Sequence, residues 1–199
     1  MAACPSLALV FLLSVVVVPS TLAAAAPTTD GLHKACNATS SPGLCLTVLG
    51  AIPESRRPAA AATPRRLGEL AFRYLEGEAP ALVAEARRET AATRNQSMIY
   101  CLREFNENIG LYARWLRGLA PERGAGFAEA RRRLEGILSA PSSSGISCSG
   151  SQFDEKPVIR RIFDYEAMMQ VTLDLMNAAA GKPPASSDYG ADGTFAVMD

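Results

Sequence analysis

The chain has 199 residues, with 20 Lys and Arg against 20 Asp and Glu, and 48% of its residues are hydrophobic. A formal charge of zero excludes the basic excess that nucleic-acid binding needs to neutralise phosphates. The apolar fraction excludes wholesale disorder, and the length suits one ordinary domain.

Residues 1–26 read as a secretory signal peptide. Leu7 to Val18 is apolar apart from Ser14, Pro19 and Ser20 break the run, and Ala23 to Ala26 offer several small-residue cleavage sites. No Lys or Arg precedes the apolar run, so only the terminal amine supplies the positive end. About a dozen apolar residues are too few to span a hydrocarbon core of about 30 Å, and Gly190 to Asp199 lacks the apolar tail of a lipid anchor. The mature form is therefore expected to be exported, soluble and free of membrane.

Cys4 leaves with the leader, and the odd total of five becomes an even four: Cys36, Cys45, Cys101 and Cys148. In an oxidising compartment these imply two bridges with three connectivities open. Their spacing contains no C-x2-C pair or Cys/His cluster, so no metal or other cofactor is expected. Asn37-Ala38-Thr39 and Asn95-Gln96-Ser97 are candidate glycosylation sequons.

Residues 27–63 contain short pieces broken by Ser41-Pro42-Gly43, Pro53 and Pro58, enough for a helical hairpin. Cys36 and Cys45 lie close together inside it, and a local bridge is the simplest pairing. Residues 64–182 carry four amphipathic helices. The first runs from Arg65 to roughly Arg94, with Leu67, Leu70, Ala71, Tyr74, Ala81 and Leu82 on its apolar side. Thr63-Pro64 opens it, and Pro80 is expected to kink it. The second has the clearest stripe: Met98, Cys101, Leu102, Phe105, Ile109, Tyr112, Leu116 and Leu119, at steps of 3, 1, 3, 4, 3, 4 and 3. Ser97 is its expected N-cap and Pro121 its stop, with Arg103, Glu107, Arg114 and Arg117 turned outward. The third, Ala125 to Ser139, carries Phe127, Ala130, Leu134, Ile137 and Leu138. The fourth, Val158 to about Ala180, carries Ile159, Ile162, Met169, Leu173 and Met176, opened by Pro157 and closed by Gly181. No stretch of the mature chain alternates with period two, so the fold class is all-α: an antiparallel four-helix bundle preceded by the hairpin. Cys101 lies on the second stripe, and Cys148 follows the third helix, where the chain could return alongside. Residues 183–199 read as a loose polar tail.

These residues together resemble the plant invertase and pectin methylesterase inhibitors. The resemblance rests on Cys36-x8-Cys45 near the mature N-terminus, on Tyr100-Cys101-Leu102-Arg103-Glu104-Phe105, and on Leu138-Ser139-Ala140 ahead of Cys148 and Phe153, over roughly residues 30–180. It implies bridges Cys36–Cys45 and Cys101–Cys148, location in the apoplast or cell wall ahead of the vacuole, and a protein partner whose active-site cleft is blocked. Pectin methylesterase inhibitors present bundle helices to their target, whereas invertase inhibitors use a segment containing Pro-Lys-Phe. That tripeptide does not occur here, so pectin methylesterase is the first expectation and acid invertase the alternative. Ser147 and Gly150 stand where the pectin methylesterase inhibitors tend to carry Thr and Asp. On this reading the outward residues Arg103, Glu107, Arg114, Arg117, Glu129 and Arg133, with Ser147, are the candidate target contacts, and the hairpin is a candidate homodimer contact.

Catalysis by the chain itself is not expected. His33 is the single histidine, which leaves a Ser-His-Asp arrangement dependent on one residue near the start of the mature chain. The acid pairs Glu76/Glu78, Glu104/Glu107 and Asp154/Glu155 suit solvated helix faces better than the walls of a sugar cleft. Arg131-Arg132-Arg133 reads as a solvated face. Arg supplies 17 of the 20 basic residues, and its planar fork suits interface ion pairs. Met168, Met169 and Met176 read as core filler, and a carrier of a small apolar ligand is the alternative from a different functional class. Trp115 adjoins the core stripe, where packing is the first expectation and a partner-facing anchor the second.

Overall fold

Six α-helices and one short 3-10 turn account for most of the described chain. The computed structural model describes residues 30–56, 63–119, 121, 124–139 and 156–184. The expected leader, most of the tail, Ser147, Cys148 and the acids Asp154 and Glu155 lie outside these residues. The helices are α1 (Asp30–Cys36), α2 (Pro42–Ala51), α3 (Pro64–Ala92), α4 (Gln96–Leu116), α5 (Gly124–Ser139) and α6 (Pro157–Ala179), with the 3-10 turn at Pro53–Arg56. Among the described residues there is no strand, and the protein is all-α.

The helix ends follow local chemistry. Thr63 caps α3, its hydroxyl accepting from the Arg66 N–H at 3.3 Å, with Pro64 in the first turn. At α4 the cap is Asn95, not Ser97: its Oδ1 accepts from the Met98 N–H at 3.2 Å, and the helix begins before Ser97. The stop also differs from the sequence expectation. Gly118 takes φ +77°, a left-handed conformation open to glycine without steric cost, and ends α4 at Leu116, ahead of Leu119 and Pro121. At the end of α6, Gly181 at φ +67° turns the chain so that Lys182 N–H reaches the Asn177 carbonyl at 2.8 Å and Gly181 N–H the Ala178 carbonyl at 3.2 Å, the paired bonds of a Schellman motif.

Packing is organised around α6, which touches α1, α2, α3 and α5; α4 in turn packs on α3 and α5. Val171 through Asn177 is an unbroken buried run, as expected of a helix covered on all sides. α3 supplies the largest share of that cover through Leu67, Ala71, Phe72, Leu75, Ala79, Leu82 and Ala86, all fully buried. Ala81, expected on the same stripe, is exposed, because it falls one residue beyond the buried side. Gly68 sets the approach of the two helices: a Cβ there would lie 3.2 Å from Met176 Cγ and 3.5 Å from the Met176 backbone nitrogen. Met168, Met169 and Met176 are buried in the core, as expected.

Several polar residues on or next to α6 have named partners. Asp174, only 2% exposed, accepts the Ser40 N–H at 2.8 Å and so docks the α1–α2 connection onto α6. Leu32, Cys36, Cys45 and Leu49 belong to the same core as the long helices, so the hairpin has its apolar side buried within its own chain. Asn177 Oδ1 accepts from Arg131 at 3.2 Å. Arg131, read from sequence as part of a solvated run, is therefore a tie between α5 and α6. Arg161 bridges Glu78 and Glu85 of α3, and Lys156 pairs with Glu89 at 2.7 Å. The Tyr165 hydroxyl donates to the Leu75 carbonyl at 3.3 Å. That carbonyl is adjacent to Glu76, whose own carbonyl Pro80 deprives of a helical donor, and α3 continues through Pro80 as one helix.

Two predictions follow from this packing. Gly68→Leu should lower stability by about 1–3 kcal/mol through overpacking against Met176. Gly110→Ala, in mid-helix with nothing closer than 3.9 Å to an added Cβ, should raise it by about 1 kcal/mol; urea denaturation of both variants is the check. Burial raises the Tyr165 phenol above its ordinary 10.0. The unfolded chain then ionises first, so the stability is fully present below that value and is lost as pH rises above it. Thermal midpoints measured from about pH 9 to 11 should fall, and Tyr165→Phe should make the fall shallower.

Candidate functional site

α4 has two sharply different sides. Met98, Cys101, Leu102, Phe105, Ile109, Tyr112 and Leu116 are buried. Opposite them, Tyr100, Arg103, Glu107, Arg114 and Trp115 follow one another at helical steps along the outer side, all exposed. At 1.5 Å per residue this stripe runs about 22 Å from Tyr100 to Trp115. Tyr100 is 59% exposed and Trp115 41%, and with Phe163 of α6 they are the exposed large apolar side chains among the described residues. Packing, the first expectation for Trp115, is thus corrected: at 3.6 residues per turn it stands beside Leu116 but outside the stripe that faces α3 and α5.

The Arg103 guanidinium lies over the Tyr100 ring, 4.8 Å from its centroid, a geometry worth about 0.5–1 kcal/mol at an exposed position. Tyr100, Arg103, Glu104 and Glu107 line an open depression on this side of the helix. Arg117 is exposed just beyond the helix end. The stripe therefore alternates rigid aromatic surface with charges of both signs, the composition from which protein-interface anchors are drawn.

The α5 candidates form a separate cluster. Glu129 accepts from Arg133 Nε at 2.8 Å and pairs with Arg132 at 2.7 Å. The Arg133 hydrogen bond is the main reason its carboxyl titrates below the ordinary carboxylate range. Ser147 lies outside the described residues. Asn37 and Asn95 are both exposed. The Cys36–Cys45 bridge is present, with Cα atoms 5.5 Å apart. Cys101 is disulfide-bonded as well, and the expected partner, Cys148, lies outside the described residues.

Two of the acids weighed for catalysis, Glu76 and Glu78, make other contacts. His33 is exposed on α1, Glu78 is tied to Arg161, and Glu76 accepts the Gly118 N–H at 3.3 Å, fastening the end of α4 to α3. Among the described residues no three His, Cys, Asp or Glu side chains are grouped so as to hold a metal ion, and no helix is long and apolar enough to cross a membrane. Sequence reasoning missed Tyr100 as a surface residue. Its signal was its position beside Glu107 on the polar arc, rather than on the apolar stripe that begins at Met98. No protein-family model matches the chain, and no curated protein matches it.

The two sides of α4 should separate in mutagenesis. Tyr100→Ala and Trp115→Ala should change stability by no more than about 1 kcal/mol, whereas Phe105→Ala on the buried side should cost about 3–5 kcal/mol. Chemical denaturation of the three variants distinguishes them.

Proposed function

We propose that the chain is an exported proteinaceous enzyme inhibitor whose target is pectin methylesterase, with acid invertase as the alternative target. In this reading α3 to α6 serve as a bundle scaffold, the outer side of α4 enters or covers the target's cleft, and inhibition is steric. The observation that carries the reading is the α4 stripe, in which Tyr100, Arg103, Arg114 and Trp115 stand exposed while the opposite side of the helix, from Met98 to Leu116, is committed to the core. Aromatic and Arg side chains are the residues most enriched among binding anchors. The resemblance to plant inhibitors, carried by the cysteine framework and the Tyr100–Phe105 segment, supplies the target class.

Two further observations support the choice. The Cys36–Cys45 bridge and the bonded Cys101 suit an oxidising, exported environment. The buried methionines fill helix contacts, as the fit of Met176 against Gly68 illustrates, which weighs against an apolar-ligand carrier.

The test mixes the oxidised mature protein with plant pectin methylesterase and with plant acid invertase across about pH 4 to 7, a range that reaches down to the ordinary carboxylate pKa values. Loss of pectin methylesterase activity is the expected result. Arg103→Glu with Arg114→Glu, and separately Trp115→Ala, should weaken inhibition at least about tenfold, equivalent to 1.4 kcal/mol, with the circular dichroism spectrum unchanged. Full activity of both enzymes at every pH would overturn the proposal.

A further inference from the structure

The two sequons occupy very different structural settings. Asn37, Ala38 and Thr39 lie inside the loop that the Cys36–Cys45 bridge closes. Their N–H groups bond back to His33, Ala35 and Cys36 at 2.9, 3.3 and 3.0 Å. Thr39 is 8% exposed, and its hydroxyl donates to the Cys36 carbonyl at 2.7 Å. An oligosaccharyl transferase needs the sequon opened out, with the amide and the hydroxyl two residues on both presented to it; once the bridge forms, this sequon can offer neither the extended backbone nor the hydroxyl.

Asn95 differs in two respects: its sequon is exposed and no bridge closes around it, while Gln96 and Ser97 lie in the first turn of α4. It sits on the exposed three-residue connection between α3 and α4, outside the Cys36–Cys45 loop, and both Asn95 and Ser97 are exposed. Its side chain caps α4 through Oδ1. Substitution at Nδ2 leaves that oxygen in place, so the cap and a glycan can coexist.

We propose that Asn95 carries an N-linked oligosaccharide and that closure of the Cys36–Cys45 bridge keeps Asn37 unmodified. The inference rests on the export reading, since the donor, a lipid-pyrophosphate-linked oligosaccharide, is met only in a glycosylating secretory route. In the transfer, Asn95 Nδ2 forms a bond to the anomeric carbon and the carbon–oxygen bond to the pyrophosphate breaks. The lipid pyrophosphate leaves with that electron pair, and one amide proton passes to a base of the transferase.

The test expresses the full chain in a glycosylating eukaryotic secretory host, once with residues 1–26 and once with a proven cleavable leader in their place. All cell-associated and secreted material is collected, so a variant that fails to fold is still read. Sensitivity to an N-glycan-specific endoglycosidase and intact mass count the oligosaccharides. One is expected on the parent chain, retained in Asn37→Gln and absent from Asn95→Asp, which preserves the cap, and from Ser97→Ala. Cys36→Ser with Cys45→Ser should add a second, which Asn37→Gln then removes. An unmodified Asn95 behind the proven leader, a second oligosaccharide on the oxidised parent, or no gain on removing the bridge would each overturn the proposal. Modification behind the proven leader alone would uphold it while defeating the reading of residues 1–26 as a leader.

Discussion

The close approach of α3 and α6 at Gly68 is the constraint on which the rest of the structure depends. With no side chain at that position, the Met176 backbone comes within van der Waals range of where a Cβ would sit, and small residues at 71, 79 and 86 continue the contact along α3. Dispersion contacts grow steeply as such gaps close. With α3 seated this closely, α6 can be covered on its remaining sides by α5 and by the two short N-terminal helices. The ion pairs of Arg161 and Lys156 lie at the margin of this contact. They are half-exposed and add alignment more than free energy. Asp174 acts differently, because it holds the Ser40 N–H from inside the core, where a lost partner would leave a buried polar group unsatisfied.

The division of α4 into a buried and an outward side connects the fold to the proposed activity. Its buried side is fixed by contacts with α3 and α5, and its caps at Asn95 and Gly118 set where it begins and ends. The outward aromatic residues are therefore carried on a rigid element, which lowers the ordering cost of binding. The Arg103–Tyr100 stacking favours one arrangement of those two side chains by a small margin. Mixed charges beside them favour orientation and selectivity over sheer affinity.

Helix positions were readable from sequence because the stripe from Met98 to Leu116 keeps a 3.6-residue period and because Pro64 and Pro157 mark first turns. The ends were less readable. Ser97 and Asn95 have equal capping chemistry, and only the register of the Met98 N–H decides between them. Gly118 was overlooked because Pro121 offered a stronger stop signal, although a left-handed residue ends a helix earlier than a proline does. Ties between distant segments, such as Ser40 to Asp174 and Arg131 to Asn177, left no trace in local pattern, since neither partner's neighbourhood encodes the other. For the candidate site, Arg103, Glu107, Arg114 and Arg117 were legible as the polar arc of α4. Trp115 was not, because an aromatic next to a core stripe satisfies either packing or exposure equally well by composition.

The placement of α6 at the centre has a consequence for the order of events during synthesis. The helix that touches α1, α2, α3 and α5 is the most C-terminal of the described helices, so α3 meets it only some ninety residues downstream. Until then α3 can pair with α4 but leaves the side that meets α6 uncovered. That uncovered side is apolar surface exposed during synthesis, and the core closes over it only when the C-terminal third of the chain arrives.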